Sequence, residues 1–320
     1  MISIDGSHGE GGGQIIRTSL TLAAITQKPV SISNIRAGRS PPGLKMQHIT
    51  AAKAVRSICR GTLENADLGS TSLVFNPGKI VGGKYDLNVG TAGSVTLVAQ
   101  TIIPILLSAD KPSTVRIQGG THVMASPSYE YFEKVFLPAI QIMGARVQCK
   151  IFKPGFYPTG GGEIEITVKP SDLRGVEVWP SGSEEQVIIT LSDLPISIAM
   201  REKKIFLQEG IENVHIRQDK AIDKGNSVFV WKGLRGAYSL GKLGVRAEEV
   251  AQRALDEINK EQFDIDLHLA DQLLVYASLA VGKTRYRTSE ISEHLKTNAE
   301  IIRKFVDRNI NMQKNEVSII

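Results

Sequence analysis

His294 is the side chain whose type and setting best suit a covalent transfer. It follows Ser289-Glu290-Ile291-Ser292-Glu293, and Ile301, Ile302, Phe305 and Val306 recur after it at helical spacing. The pattern predicts a loop delivering an imidazole to a helix start, with Thr297 and Asn298 in the first exposed turn. A neutral ring there has helix N–H groups and the positive end of a dipole beside it, a setting that suits an anionic phosphate under attack. Histidine forms covalent intermediates when one difficult transfer is split into two. A histidine at a helix start is also a common structural feature, so its surroundings decide.

Several stretches offer such surroundings, each with a plainer explanation beside it. Gly9-Glu10-Gly11-Gly12-Gly13 lets backbone N–H groups approach a phosphate closely, although a flexible turn has the same composition. Its spacing is not that of a dinucleotide fingerprint. Glu10 offers the oxygen ligand a hard divalent cation prefers, or is an ordinary surface carboxylate. Arg36 and Arg39 flank Gly38 ahead of Pro41-Pro42-Gly43, and two guanidinium forks on a stiff loop make a phosphate clamp or two solvated charges. Gln47 and His48 stand one turn into the next helix, as supporting polar groups or as a half-exposed face. Ala277 to Thr284 fits a loosened phosphate-loop pattern but lacks the first glycine and runs from helix into strand, the wrong order. No histidine or cysteine pair has zinc-site spacing, and no serine-hydrolase elbow is present.

The elements that must position these residues come in copies. Ile2–Ile4 reads as a strand, Gln14–Ala24 as a helix, Pro29–Ile35 as a strand and Leu44–Cys59 as a helix, followed by hairpin signals at Pro77-Gly78 and Gly82-Gly83. The order recurs in strand Tyr85–Val89, a helix opened by Gly90-Thr91-Ala92-Gly93-Ser94 and running to about Leu107, strand Ser113–Gln118, helix Tyr129–Met143, and the signals Pro154-Gly155 and Gly160-Gly161-Gly162. Two offsets of about 80 residues support a repeat, Gln14 to Ser94 and Pro77 to Pro154. A third copy has strand Phe263–Leu267, a helix through Ala280, strand Thr284–Thr288 and the helix begun by His294. The excess length before it predicts an inserted small α/β domain at about 178–260. Its elements are strand Gln186–Leu191, helix Ile196–Gln208, strands Asn213–Gln218 and Ser227–Lys232, and helix Gly244–Asn259, which belongs either to the insert or to the main body. The fold class is α/β (α+β): a large domain of three βαβαββ-like units at about 1–80, 81–177 and 261–320, with the insert between the second and third. Both helices of a copy follow strands, so their N-termini share one sheet edge. Three copies around an axis gather Glu10, Arg36, Arg39, Gln100, Pro127, His268 to Gln272 and His294 near one cleft.

Bulk properties agree with a globular protein. The chain has 320 residues, 42% hydrophobic and 22% charged, with a net charge of +5 that is compatible with a polyanionic partner. Two cysteines are too few for a disulfide framework, so a reducing, cytoplasmic location is expected. No signal peptide is read. The apolar run Ile102–Leu107 is short and contains Pro104, so no membrane association is expected.

In these stretches the chain closely resembles the RNA 3′-terminal phosphate cyclases. The shared residues are Gly9 to Arg17, Ile35 to Arg39 with Pro42-Gly43-Leu44 and Gln47-His48, Gly90 to Ser94 with Gln100, Gly119-Gly120-Thr121, Gly155 to Pro158 with Gly160 to Gly162, Leu269-Ala270-Asp271-Gln272, and His294 with Thr297-Asn298. The likeness spans nearly the whole chain and is weakest in the insert and the last dozen residues. It implies an ATP-dependent reaction in which a histidine takes AMP from ATP, passes it to an RNA 3′-phosphate, and the adjacent 2′-hydroxyl closes a 2′,3′-cyclic phosphate. By the same resemblance the nucleophile is His294. The ATP site is Gln100, Pro127, His268, Leu269, Ala270, Asp271 and Gln272, with His268 and Pro127 flanking adenine. Glu10 matches the position associated with a divalent metal, Mg or Mn, and Arg17, Arg36 and Arg39 match basic positions near the phosphates. The partner implied is RNA with a 3′-terminal phosphate; self-association into a homo-oligomer stays open. Position 268 is tyrosine in the better-known members and histidine here, which makes His268 a rival nucleophile; His294 is preferred because Thr297-Asn298 follows it. Enolpyruvyl transferases share a related repeated architecture, so fold alone does not fix chemistry. Non-catalytic cyclase-like proteins of ribosome assembly keep the body without the nucleophile.

Overall fold

The computed structural model describes residues 1–182 and 184–320. Its first unit runs β1 (Ile2–Asp5), α1 (Gly13–Thr26), β2 (Val30–Ser33), α2 (Met46–Cys59), β3 (Thr62–Glu64) and β4 (Leu73–Asn76). The sheet order is β1-β2-β4-β3, with β1 parallel to β2 and the other pairings antiparallel. The second unit, β5 (Lys84–Asn88), α3 (Val95–Leu107), β6 (Ser113–Gly119), α4 (Tyr129–Tyr131), α5 (Leu137–Ile142), β7 (Arg146–Lys153) and β8 (Gly162–Lys169), repeats that order as β5-β6-β8-β7. In each unit the first two strands are parallel, so the helices that follow them open at the same sheet edge.

Two details of the repeat differ from the sequence expectation. The pairing of Pro77 with Pro154 joins unlike positions: Pro77 follows the fourth strand of its unit, whereas Pro154 sits in the hairpin between the third and fourth. The helix expected over Tyr129–Met143 is interrupted by a π-helical turn, Phe132–Phe136, between α4 and α5. Pro138 explains it, since a residue with no N–H cannot continue the regular ladder at that junction.

Residues 186–260 form β9 (Gln186–Ser192), α6 (Ile196–Gln208), β10 (Val214–Gln218), β11 (Gly225–Lys232), β12 (Arg235–Leu240) and α7 (Ala247–Lys260), with sheet order β10-β9-β11-β12. Strand β12 is absent from the sequence reading. Its signal was Gly233, at φ 60°, in a two-residue hairpin loop between the paired Lys232 and Arg235. Helix α7 packs on this sheet, and its Val250, Ala251, Ala254, Leu255 and Ile258 belong to a core shared with Val187, Ile189, Phe206, Val228 and Val230. The repeat units are built around a larger core, which Ile188, Phe229, Trp231 and Leu234 of this segment also join.

The third unit has α8 (Leu267–Leu279), β13 (Thr284–Arg287), α9 (Glu293–Arg303), β14 (Ile310–Gln313) and β15 (Glu316–Ile319), in the order β13-β15-β14. Phe263–Leu267 is not the expected strand. Asp264 and Asp266 spend their carboxylates on backbone, and such side chains compete with ladder formation. The outer edge of β13 is filled instead by the two segments that join the insert to the body. Arg285 N donates to Val176 O at 2.9 Å and Arg285 O accepts from Trp179 Nε1 at 2.8 Å. Arg287 N donates to Asp264 Oδ2 at 3.0 Å and Arg287 O accepts from Ile265 N at 3.2 Å. The apparent phosphate-loop sequence lies at the end of α8 and the start of β13, helix before strand, as its order required. Among the described residues no helix is long and apolar enough to cross a membrane.

Candidate active site

The starts of α1, α2, α8 and α9 and the flank of α3 surround a cleft of about 550 Å³. Helix α1 packs against α2, α3 and α9, and α8 packs against α9, so residues far apart in sequence meet. Glu10, Arg17, Arg36, Arg39, Gln100, Pro127, His268, Asp271, Gln272 and His294 all line the cleft. Leu269 and Ala270 do not. Both are wholly buried, and Ala270 O accepts from Tyr286 Oη at 2.7 Å. On a helix, neighbours of cleft-facing Asp271 and Gln272 must turn to the core side.

His294 is the second residue of α9, whose first turn is capped by Ser292 Oγ accepting from Leu295 N. Half of the His294 side chain is exposed. Gln14, from α1, holds it: Gln14 Oε1 lies 2.8 Å from His294 Nδ1, and Gln14 Nε2 donates to Asp271 Oδ2 at 3.0 Å. The amide's two ends fix each other. Its NH₂ faces a carboxylate, so its oxygen accepts from Nδ1–H, and Nε2 presents a lone pair once Glu10 has moved off it. Glu10 Oε2 lies 2.5 Å from Nε2, and its other oxygen 2.5 Å from Arg39 Nη2. The charged groups around the ring are therefore paired with each other.

Thr297 and Asn298 are buried rather than in an exposed turn. Asn298 takes Thr18 Oγ1–H at 2.7 Å and donates to Asp271 O at 2.9 Å, tying α9 to α1 and α8. Thr297 Oγ1 is 3.4 Å from Glu10 N. Their sequence signal is thus one of assembly. Replacing Asn298 by Ala strands a buried hydroxyl and a buried carbonyl. We expect a stability loss of about 2 kcal/mol, read from chemical denaturation, with slower chemistry at His294.

The basic groups are not equivalent. Burial lowers Arg17 to about 10, with Asp271 and Glu10 opposing, so it stays cationic at neutral pH. Arg36 is buried, at φ 53°, and donates Nη1 to Pro41 O and Gly43 O at 3.0 and 2.9 Å. It stiffens the loop more than it reaches into the cleft. Arg39 is exposed and joined to Glu10. His48 is buried, and burial, then Arg17, Arg36 and Lys45, push it down to about 3. Its Nδ1 accepts from Lys45 N. Asp271 is pushed up to about 6 by burial, against His294, His268, Arg17 and Gln14.

The other cleft residues have partners of their own. Gln100 Nε2 donates to Gln272 Oε1 at 2.7 Å, and Pro127 O accepts from Thr96 Oγ1 at 2.8 Å. Three lining tyrosines, Tyr131, Tyr238 and Tyr276, carried no sequence signal beyond their type; Tyr238 comes from the unpredicted β12. Gln14 stood in the glycine-rich motif without an assigned role.

The cleft thus holds an oriented imidazole beside cationic side chains. The family model for RNA 3′-terminal phosphate cyclase matches residues 8–312, and the chain belongs to that family. It is 40% identical to the RNA 3′-terminal phosphate cyclase of Archaeoglobus fulgidus, with 100% of each chain covered. It is 41% identical to the proteins of that name from Trichormus variabilis, over 95% of this chain and 94% of the relative, and Sulfolobus acidocaldarius, over 96% and 95%. Among solved structures, an enolpyruvyl transferase from Streptomyces tendae superimposes with a TM-score of 0.43 at 9% identity, covering 100% of this chain and 48% of that one, too distant to carry an argument.

Proposed function

We propose that this chain is an ATP-dependent RNA 3′-terminal phosphate cyclase that works through a histidine–AMP intermediate on His294. The observation that carries the reading is the chain Asp271–Gln14–His294, which fixes Nδ1–H and points Nε2 into a cleft able to hold a nucleotide.

His294 Nε2 forms a bond to the α-phosphorus of ATP as the bond to the bridging oxygen breaks and pyrophosphate leaves. The positive charge that develops on the ring is shared through Nδ1–H with Gln14 and Asp271. An oxygen of the RNA 3′-phosphate then attacks the same phosphorus and returns the imidazole. The neighbouring 2′-hydroxyl attacks the activated 3′-phosphorus, loses its proton, closes the 2′,3′-cyclic phosphate and expels AMP. A bare 3′-phosphate resists this attack because its oxygens are charged and none is a good leaving group; adenylylation supplies one. Arg17 and Arg39 offset phosphate charge, where positioning and electrostatics dominate. His268 and Pro127 flank the base, with Gln100 and Gln272 at the same wall.

Glu10 is the residue proposed to meet a divalent cation, Mg or Mn. Among the described residues no group of three or more His, Cys, Asp or Glu side chains could hold a metal alone. One carboxylate fits a hard cation held chiefly by phosphate oxygens and water, which would supply charge neutralisation on the triphosphate. Holding such a cation, Glu10 would give up its contact with Nε2.

The body is taken as 1–177 and 261–320, with 178–260 inserted, a division supported by the second core cluster, which draws only on residues between Val187 and Ile258. A cytoplasmic location is supported by Cys59 and Cys149, both free thiols. The direct test is incubation with α-labelled ATP and metal, without RNA. An acid-labile, alkali-stable protein–AMP adduct is expected. Its absence would favour a non-catalytic cyclase-like factor.

A further inference from the structure

We infer that Asp266 is a positioning residue through which the inserted segment sets the nucleotide wall of the cleft. The inference rests on the cyclase reading and adds a residue and a coupling to it.

Asp266 is 1% exposed and caps α8, the helix that carries His268, Asp271 and Gln272. Its carboxylate accepts three hydrogen bonds from three parts of the chain. Leu269 N, in its own helix, donates to Oδ1 at 2.8 Å. Tyr131 Oη, from the second unit, donates to Oδ1 at 2.7 Å. Gly236 N, from insert strand β12, donates to Oδ2 at 2.9 Å.

A cap needs only the first of these bonds. The other two fix α8 about its N-terminus relative to a lining tyrosine and to β12. The same strand reaches the opposite wall, where Tyr238 Oη donates to Ser126 O beside Pro127. Strand β12 therefore holds both flanks of the proposed adenine slot, one through Asp266 and one through Tyr238. His268 lies two residues beyond Asp266, so a small turn of the helix start moves it across that slot. Gly236 has no room for a side chain, since a Cβ there would meet Val135, Phe229 and Tyr131. The close approach of β12 is built into the backbone.

The deciding variant is Asp266→Ser. A serine keeps an acceptor for Leu269 N but is too short to reach Tyr131 and Gly236. The expected result is a rise of about tenfold in KM for ATP in the adenylylation step, the factor set by losing bonds to a charged group, with little change in KM for RNA. Thermal unfolding separates this from simple damage: a merely structural role lowers stability and the active fraction and leaves KM for ATP unmoved. Tyr131→Phe is expected to raise KM for ATP alone but to add nothing in the Asp266→Ser background. An Asp266→Ser protein with the parental KM for ATP would overturn the inference, as would fully additive effects of the pair. If the parent protein forms no adduct, the cyclase reading itself fails, an outcome distinct from either.

Discussion

His294→Ala is expected to abolish the labelled AMP adduct and to lower cyclisation by about 10⁴-fold or more, the scale of removing a covalent nucleophile. His268→Ala is expected to keep the adduct and to weaken ATP use by about 10-fold to 100-fold, the cost of one lost base-stacking partner. The two histidines line the same cleft, so proximity to the nucleotide does not separate them. Their partners do. His294 Nδ1 is held by Gln14, itself held by Asp271, which leaves Nε2, in contact with Glu10, as the nitrogen on the cleft side. A nucleophile needs a neighbour that fixes its reactive form and orientation. Single-turnover labelling of both variants, with the adduct resolved under acid and alkali, decides the matter. Loss of the adduct only in His268→Ala would reverse the assignment.

Asp271→Asn is expected to change catalysis and stability in opposite directions. Asparagine can still accept from Gln14 Nε2, but it cannot offset the charge that forms on the imidazole, and adenylylation should fall by about 10²-fold or more. Stability follows from the carboxyl's shift. Burial raises Asp271 from the ordinary 3.8 to about 6, so its ionised form is less favourable in the folded protein than in the unfolded chain. That cost is fully present above about pH 6, shrinks as the folded state takes up a proton between pH 6 and 4, and is gone below the unfolded value. A rise of this size corresponds to at most about 3 kcal/mol, because 16% of the side chain still meets water through the cleft. Urea unfolding of parent and variant at pH 8 and at pH 4 should show the variant more stable at the higher pH and the gap closing at the lower. A gap of equal size at both values would show that the carboxyl is not perturbed.

Much of this site is legible in the amino-acid sequence because its parts follow strong local rules. Glycines 9 and 11 to 13 mark a turn into a helix, and Asp271-Gln272 stand in an apolar, periodic helix. The repeat explains why such distant stretches can share a cleft. What escapes a sequence reading depends on side-chain direction or on single polar substitutions. Leu269 and Ala270 belong to the motif but face the core, since consecutive helix positions cannot all face one way. Arg36 looks like Arg39 in sequence, yet a positive φ turns it to its own loop's carbonyls. Thr297 and Asn298 look exposed because polar residues usually are; each is buried with partners on other helices or loops. Strand β12 goes unseen because Gly233-Leu234 is an unremarkable dipeptide until its hairpin is known, and with β12 goes Tyr238.

The way β13 is covered has a consequence for how the protein behaves when crowded. An outer strand with free amides and carbonyls is a template on which a second chain can add itself, the first step toward fibres. Here that row is already occupied by Val176, Trp179, Asp264 and Ile265. These two segments thus act as a guard rail: an interruption that could have left this edge of the third sheet sticky instead closes it to intruders.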